Sequence, residues 1–161
     1  CHTDLLELYC GVGNFTLPLA HRFRRVLATE LSKRATAAAA HNATANHIGN
    51  LELARLSAAE MSQAMAGDRP FRRLSALKEP LSSFEFETLL VDPPRAGLDS
   101  DTLGLARGFA RILYISCNPK SLIENLAELS ETHSIEALAF FDQFPYTEHL
   151  ESGVILKRRS I

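Results

Sequence analysis

Cys117 is the side chain in this sequence best placed to act as a nucleophile. It closes the apolar, β-branched run Arg111-Ile112-Leu113-Tyr114-Ile115-Ser116, which reads as a buried strand. A helix is expected to begin at once. Asn118 suits its cap, Pro119 its first position, and 121–129 carries the apolar pattern. The cysteine would thus stand at the carboxyl end of a strand and at a helix N-terminus. Open α/β sheets bind ligands at that edge, and a helix N-terminus favours an anionic sulfur. A lone cysteine is more often a small buried residue. Here the strand-end position, the cap and the acids described next favour chemistry.

Three acids occupy comparable positions. Val91-Asp92-Pro93-Pro94-Arg95 follows an apolar strand, and two prolines stiffen the chain so that Asp92 is aimed at the sheet edge. Glu30 ends another strand and has the geometry to accept both hydroxyls of a ribose. Glu151 lies in the polar and aromatic stretch Asp142-Gln143-Phe144-Pro145-Tyr146-Thr147-Glu148-His149-Leu150-Glu151-Ser152. In extended backbone it shares a face with His149. Glu7-Leu8-Tyr9-Cys10-Gly11-Val12-Gly13-Asn14-Phe15 is a strand, a glycine turn and a helix start, where backbone N–H groups meet ligands closely. The dinucleotide fingerprint wants glycine where this chain has Thr16, so a pyrophosphate binder is disfavoured. Tyr9 suits core packing as well as ligand contact, and Asn14 suits capping as well as ligand contact.

The elements that must hold these groups alternate. Strands are expected over 5–9, 25–30, 51–56, 86–91, 111–116, 135–141 and 154–157. Helices are expected over 14–22, from the Ser32 cap to about 46, from the Ser57-Ala58-Ala59-Glu60 capping box to Gly67, over 103–109 with Asp99 or Ser100 as cap, and after Pro119. Residues 68–84 read as a loop. This pattern gives an α/β fold: a mostly parallel seven-stranded sheet with helices on both faces and an antiparallel pair at the end, where no helix separates the last two strands.

Composition sets the outer limits. The 161 residues suffice for one domain with a core, and 46% hydrophobic with 22% charged residues is ordinary for a globular protein. No apolar run of about 18 residues marks a membrane span. Cys1, Cys10 and Cys117 form no C-x-x-C pair, so neither a zinc site nor a disulfide framework is expected, and a reducing cytoplasm suits the chain. The net charge of −2 leaves no footprint for nucleic acid. The groups Arg22/Arg24/Arg25, Arg69/Arg72/Arg73 and Lys157/Arg158/Arg159 read as solvated surface. The start at Cys1, just before a core strand, suggests a piece of a longer protein.

The glycine turn, the Asp-Pro-Pro-Arg run, Ile115-Ser116-Cys117-Asn118-Pro119 and the 142–151 tail resemble, in order and together, the RNA uracil-5-methyltransferases. The tail and Ala45-Asn46-His47-Ile48 resemble most the branch acting on tRNA, with ribosomal-RNA enzymes as the alternative. Val12 departs from that branch, which favours a more polar residue there. The resemblance implies a Rossmann-like class I methyltransferase fold over 1–161, as the C-terminal catalytic part of a monomeric protein. It implies S-adenosylmethionine as cofactor, no metal, and a T-loop uridine as substrate. Cys117 would be the nucleophile and Glu151 the proton acceptor. Tyr9, Gly11, Asn14, Glu30 and Asp92 would bind the cofactor, and Phe144 and Tyr146 are candidates to pack around a flipped base. Rival readings are an amino-group methyltransferase, a nicotinamide oxidoreductase and a non-catalytic binding module.

Overall fold

The computed structural model describes residues 2–143, 145–147 and 150–160. The strands are β1 (Asp4–Leu8), β2 (Val26–Thr29), β3 (Leu51–Ala54), β4 (Phe86–Val91), β5 (Arg111–Ser116), β6 (His133–Phe141) and β7 (Glu151–Arg158). The helices are α1 (Thr16–Ala20), α2 (Lys33–Ala45), α3 (Ala58–Ala66), α4 (Ser100–Ala106) and α5 (Pro119–Leu129). The strands form one seven-stranded sheet in the order β3-β2-β1-β4-β5-β7-β6. The first five pair in parallel, and β7 runs antiparallel between β5 and β6. The expected α/β architecture is therefore present, including the terminal antiparallel pair.

Side-chain alternation divides the core between two faces. Leu6, Leu8, Leu89, Val91, Ile112, Tyr114, Val154 and Leu156 are buried together with Met61, Leu103, Leu122 and Leu129 of α3, α4 and α5. On the other face Leu5, Val26, Ala28 and Leu90 pack with Ala20, at the end of α1. Leu113, Ile115 and Ile155, on this second face farther along the sheet, are only partly buried. Among the described residues the helical cover on this side is thus uneven.

Asp4 fastens the start of β1. Its carboxylate accepts from Arg24 Nε at 2.9 Å, Arg24 Nη2 at 2.8 Å, Arg25 Nη2 at 2.9 Å and the Glu85 amide at 2.8 Å. Burial alone would raise its pKa, but these donors hold it well below the usual carboxylate range. Arg24 and Arg25, read from the sequence as solvated surface, are structural partners of a buried acid.

Several bounds differ from expectation. The chain at 11–15 stays in turn conformation, so α1 occupies five residues instead of nine. The cap of α4 is Asp99, accepting from the Thr102 amide at 2.8 Å, so that helix starts earlier than the apolar pattern indicated. Two short 3-10 turns, Leu74–Ala76 and Leu81–Ser83, punctuate the expected loop.

Candidate active site

The nucleophile candidate sits on a braced turn. Ser116 Oγ accepts from the Asn118 amide and donates to the Asn118 carbonyl, both at 3.1 Å, so the chain bends around Cys117. Asn118 Oδ1 caps α5 at the Lys120 amide, 3.2 Å, and Pro119 takes the first turn. Cys117 is a free, partly exposed thiol. Cys10 is the contrast: it is buried, and burial, with the charges of Glu7 and Glu30 adding, pushes its thiol up to about 12. Only Cys117 of this pair is accessible for nucleophilic work. Cys1 lies outside the described residues.

Strand register brings the acids to the same edge. On β5 and β7, Ser116 pairs with Ser152, so the next opposed positions are Cys117 and Glu151. Alternation sets Glu151, Asp92 and Glu7 on one face. Val154 belongs to the helix-covered core with Val91 and Leu8, and these three acids lie at positions of the other parity. Glu151 and Asp92 interact: burial first, then the Glu151 charge, raise the Asp92 pKa to about 6.

Glu7 is a further acid of this region, one to which the sequence pattern assigns no role. It is 1% exposed, and its Oε2 has no hydrogen-bond partner among the described residues. Burial raises its pKa to about 8, with Asp92 adding to the shift and Thr16 opposing it. The only signal was an acid inside the run Leu5-Leu6-Glu7-Leu8, which a buried strand does not ordinarily tolerate.

The turn after β1 is held from both sides. Glu30 Oε2 accepts from the Gly11 amide at 3.2 Å and Oε1 from the Ser32 amide at 2.7 Å. Asn42 of α2 donates to the Val12 carbonyl at 3.0 Å. Gly13 has φ +92, a left-handed conformation, and a side chain there would press on Leu17. Tyr9, at φ +62, is a strained residue at the strand end. Its phenol lies by Thr102 and Asp99, and burial raises its pKa above the ordinary tyrosine value. Asn14 is exposed and does not cap α1, whose cap position is Phe15. Gly11, Glu30, Asp92 and Cys117 thus follow the carboxyl ends of β1, β2, β4 and β5, and Glu151 starts the antiparallel β7 at the same sheet edge, with Tyr9 and Asn14 beside the glycine turn. Tyr146 is fully exposed, while Phe144 and His149 lie outside the described residues.

A cavity of about 650 Å³ lies elsewhere, between α3 and α4, and none of these groups lines it. No described helix is long and apolar enough to cross a membrane. Among the described residues, no three His, Cys, Asp or Glu side chains gather as a metal site.

The sequence profile of the tRNA (Uracil-5-)-methyltransferase family matches residues 1–159. The chain is 61% identical over 156 residues to a tRNA/tmRNA (uracil-C(5))-methyltransferase of Pseudomonas entomophila, covering 97% of this chain and 43% of that protein. It is 60% identical over 154 residues to the protein of the same name from Acinetobacter baylyi, again covering 43% of it. The chain thus spans less than half the length of these curated relatives. Among solved structures, the Pyrococcus abyssi tRNA (uracil-54, C5)-methyltransferase in complex with S-adenosyl-L-homocysteine superposes with a TM-score of 0.72 at 27% identity, covering 97% of this chain and 34% of that one. A magnesium protoporphyrin IX methyltransferase from Synechocystis superposes with a TM-score of 0.65 at 13% identity, covering 98% of this chain and 71% of that one, which speaks to the fold alone. The fold is that of the class I methyltransferases, and the chain belongs to the tRNA (uracil-5-)-methyltransferase family.

Proposed function

We propose that this chain carries the catalytic machinery of an S-adenosylmethionine-dependent tRNA (uracil-5-)-methyltransferase, acting on a T-loop uridine to give ribothymidine. The observation that carries the reading is the Ser116–Ser152 register, which makes Cys117 and Glu151 the next opposed pair at the ligand-binding edge.

The residues fit the cofactor. The Glu30 carboxylate, set by two backbone amides, keeps lone pairs for the ribose hydroxyls. Gly11 lets the backbone approach, and Tyr9, Asn14 and Asp92 border the same edge. A cationic ligand here would favour ionisation of Asp92 and of the enclosed Glu7 near it, which burial otherwise suppresses. When bound, the cofactor supplies an electrophilic methyl group.

The chain's residues supply the rest. Carbon 5 of uracil is a weak nucleophile. The Cys117 thiolate adds to C6, forming an S–C bond, and the displaced π pair makes C5 an enolate carbon able to accept the methyl group. Glu151 then takes the C5 proton. The released pair restores the C5–C6 double bond and expels the thiolate, regenerating the enzyme. Face-on attack requires the base to leave its stack.

The test is a pair of variants in the purified protein. Cys117→Ala is expected to lose turnover by at least about 10³-fold and to form no covalent RNA complex. Glu151→Gln is expected to accumulate a cysteine-linked methylated RNA adduct, seen as a gel shift and an RNA mass increment. An amino-group methyltransferase needs no nucleophile, so full activity in Cys117→Ala would defeat the reading. Mass spectrometry of tRNA and ribosomal RNA product digests separates the two RNA targets.

A further inference from the structure

We infer that Asn125 is a positioning residue for the Cys117 step: a buried amide on α5 that fixes the Asp-Pro-Pro-Arg loop against the nucleophile. The inference rests on the reading of Cys117 given above.

Three hydrogen bonds converge on this side chain. Asn125 Oδ1 accepts from the Leu98 amide at 2.8 Å and from the Tyr114 hydroxyl at 2.6 Å. Its Nδ2 donates to the Leu98 carbonyl at 3.3 Å. The two donors aimed at Oδ1 fix the orientation of the amide. Asn125, Leu98 and Tyr114 are 7%, 5% and 0% exposed, so these bonds form away from water, where each is costly to lose. One residue thereby joins β5, α5 and the loop leaving β4.

What the clamp holds is the stretch between Asp92 and Leu98. Asp92 directly follows Val91, the last residue of β4, which pairs with Leu8 on one side and Tyr114 on the other. Beyond it, the Gly97 amide closes a turn on the Pro94 carbonyl at 2.8 Å, and Asn118 Nδ2 donates to the Arg95 carbonyl at 2.8 Å. Asn118 adjoins Cys117, so the Arg95 backbone is tied to the nucleophile's own turn. Asn118 and Asn125 thus grip the loop from the two ends of one helix segment. The approach is close: a β-carbon on Gly97, which has φ +79, would lie 2.6 Å from Asn125 Oδ1. Releasing Leu98 would let Pro94 and Arg95 swing relative to Cys117 while Asp92, Glu30 and Gly11 stayed in place. Asn125 therefore bears on how the nucleophile meets the base and leaves cofactor affinity alone.

The experiment follows adduct formation with an RNA stem-loop carrying 5-fluorouridine, in the presence of S-adenosylmethionine. Fluorine cannot leave as a cation, so the Cys117 adduct persists and its rate of formation is read directly. S-adenosylhomocysteine affinity is measured by calorimetry, both well below each variant's melting temperature. Asn125→Leu is expected to slow adduct formation at least about tenfold, with cofactor affinity within about threefold of the parent, since small misplacements cost this much in rate. Asn125→Asp keeps both acceptor bonds but sets a second oxygen against the Leu98 carbonyl, so its rate should lie between those of Asn125→Leu and the parent. Gly97→Ala, with Asn125 intact, should reproduce the loss by forcing the loop off the amide, and decides the matter if Asn125→Leu does not fold. Adduct rates within twofold of the parent in Asn125→Leu and Gly97→Ala would overturn the inference. So would a parallel loss of cofactor affinity, which marks general loosening. A parent protein forming no adduct removes the reading of Cys117 itself, and this inference with it.

Discussion

At the residue scale, burial assigns different roles to chemically similar groups. Cys10 and Cys117 both follow sheet strands. Cys10 is enclosed beside two acids that oppose its ionisation, whereas Cys117 stands on a braced turn open to the sheet edge. Glu7 shows the same effect in a carboxyl group. Its pKa rises from 4.5 unfolded to about 8 folded, so the native state retains a proton the unfolded state has lost over that interval. Stability contributed by this site is therefore highest at acid pH and falls as pH rises from 4.5 towards 8. Glu7→Gln, isosteric with the protonated acid, should match the parent near pH 4 and exceed it near pH 8 by about 2–4 kcal/mol. Denaturant melts across that range check this; equal pH dependence in the two proteins would show that Glu7 does not titrate there. The strand-end positions of Cys117, Asp92 and Glu30 were legible in the sequence because each follows a recognisable strand. The isolation of Glu7 was not legible, because within an apolar run nothing local tells whether the acid is buried alone or paired.

At the element scale, capping chemistry was readable and apolar periodicity less so. The Ser57 box forms both of its bonds, with Ser57 Oγ accepting from the Glu60 amide at 3.1 Å and Glu60 Oε2 from the Ser57 amide at 2.9 Å. Ser57→Ala is expected to destabilise the protein by about 1 kcal/mol without changing cofactor affinity, as a urea melt and a calorimetric titration would measure. The Asn118 cap is present as expected, and its side chain also reaches Arg95, a second bond invisible to any local rule. Helix α1 is shorter than its apolar pattern because the glycine turn continues to residue 15. Helix α4 begins where Asp99 can accept a backbone hydrogen bond, ahead of its apolar stripe. In both cases the backbone hydrogen-bond partners at the helix start, more than side-chain periodicity, set the boundary.

At the scale of the whole molecule, the sheet is unevenly protected. β1 is buried along its whole length between two parallel neighbours, while β6 is an edge strand exposed at eight of its nine residues. Ile135, Leu138, Phe140 and Phe141 are about half exposed there. Amide hydrogen exchange should be slowest in β1 and β4 and fastest, among the strands, in β6. Uniform protection across the sheet would contradict this account of the core.

The sequence alone determined the alternation of strands and helices, the caps, the glycine turn and the residue types offered at each strand end. These depend on neighbours a few positions away, through side-chain period and backbone hydrogen bonding. Only the tertiary structure decided that β7 inserts between β5 and β6 and that its register, with Ser152 opposite Ser116, brings Glu151 to the sheet edge where β5 ends. It alone enclosed Glu7 near Asp92 and gathered Leu98 and Tyr114 on Asn125. Those outcomes depend on segments distant in sequence sharing one low-dielectric interior, where a one-residue slip of register would turn each side chain to the other face.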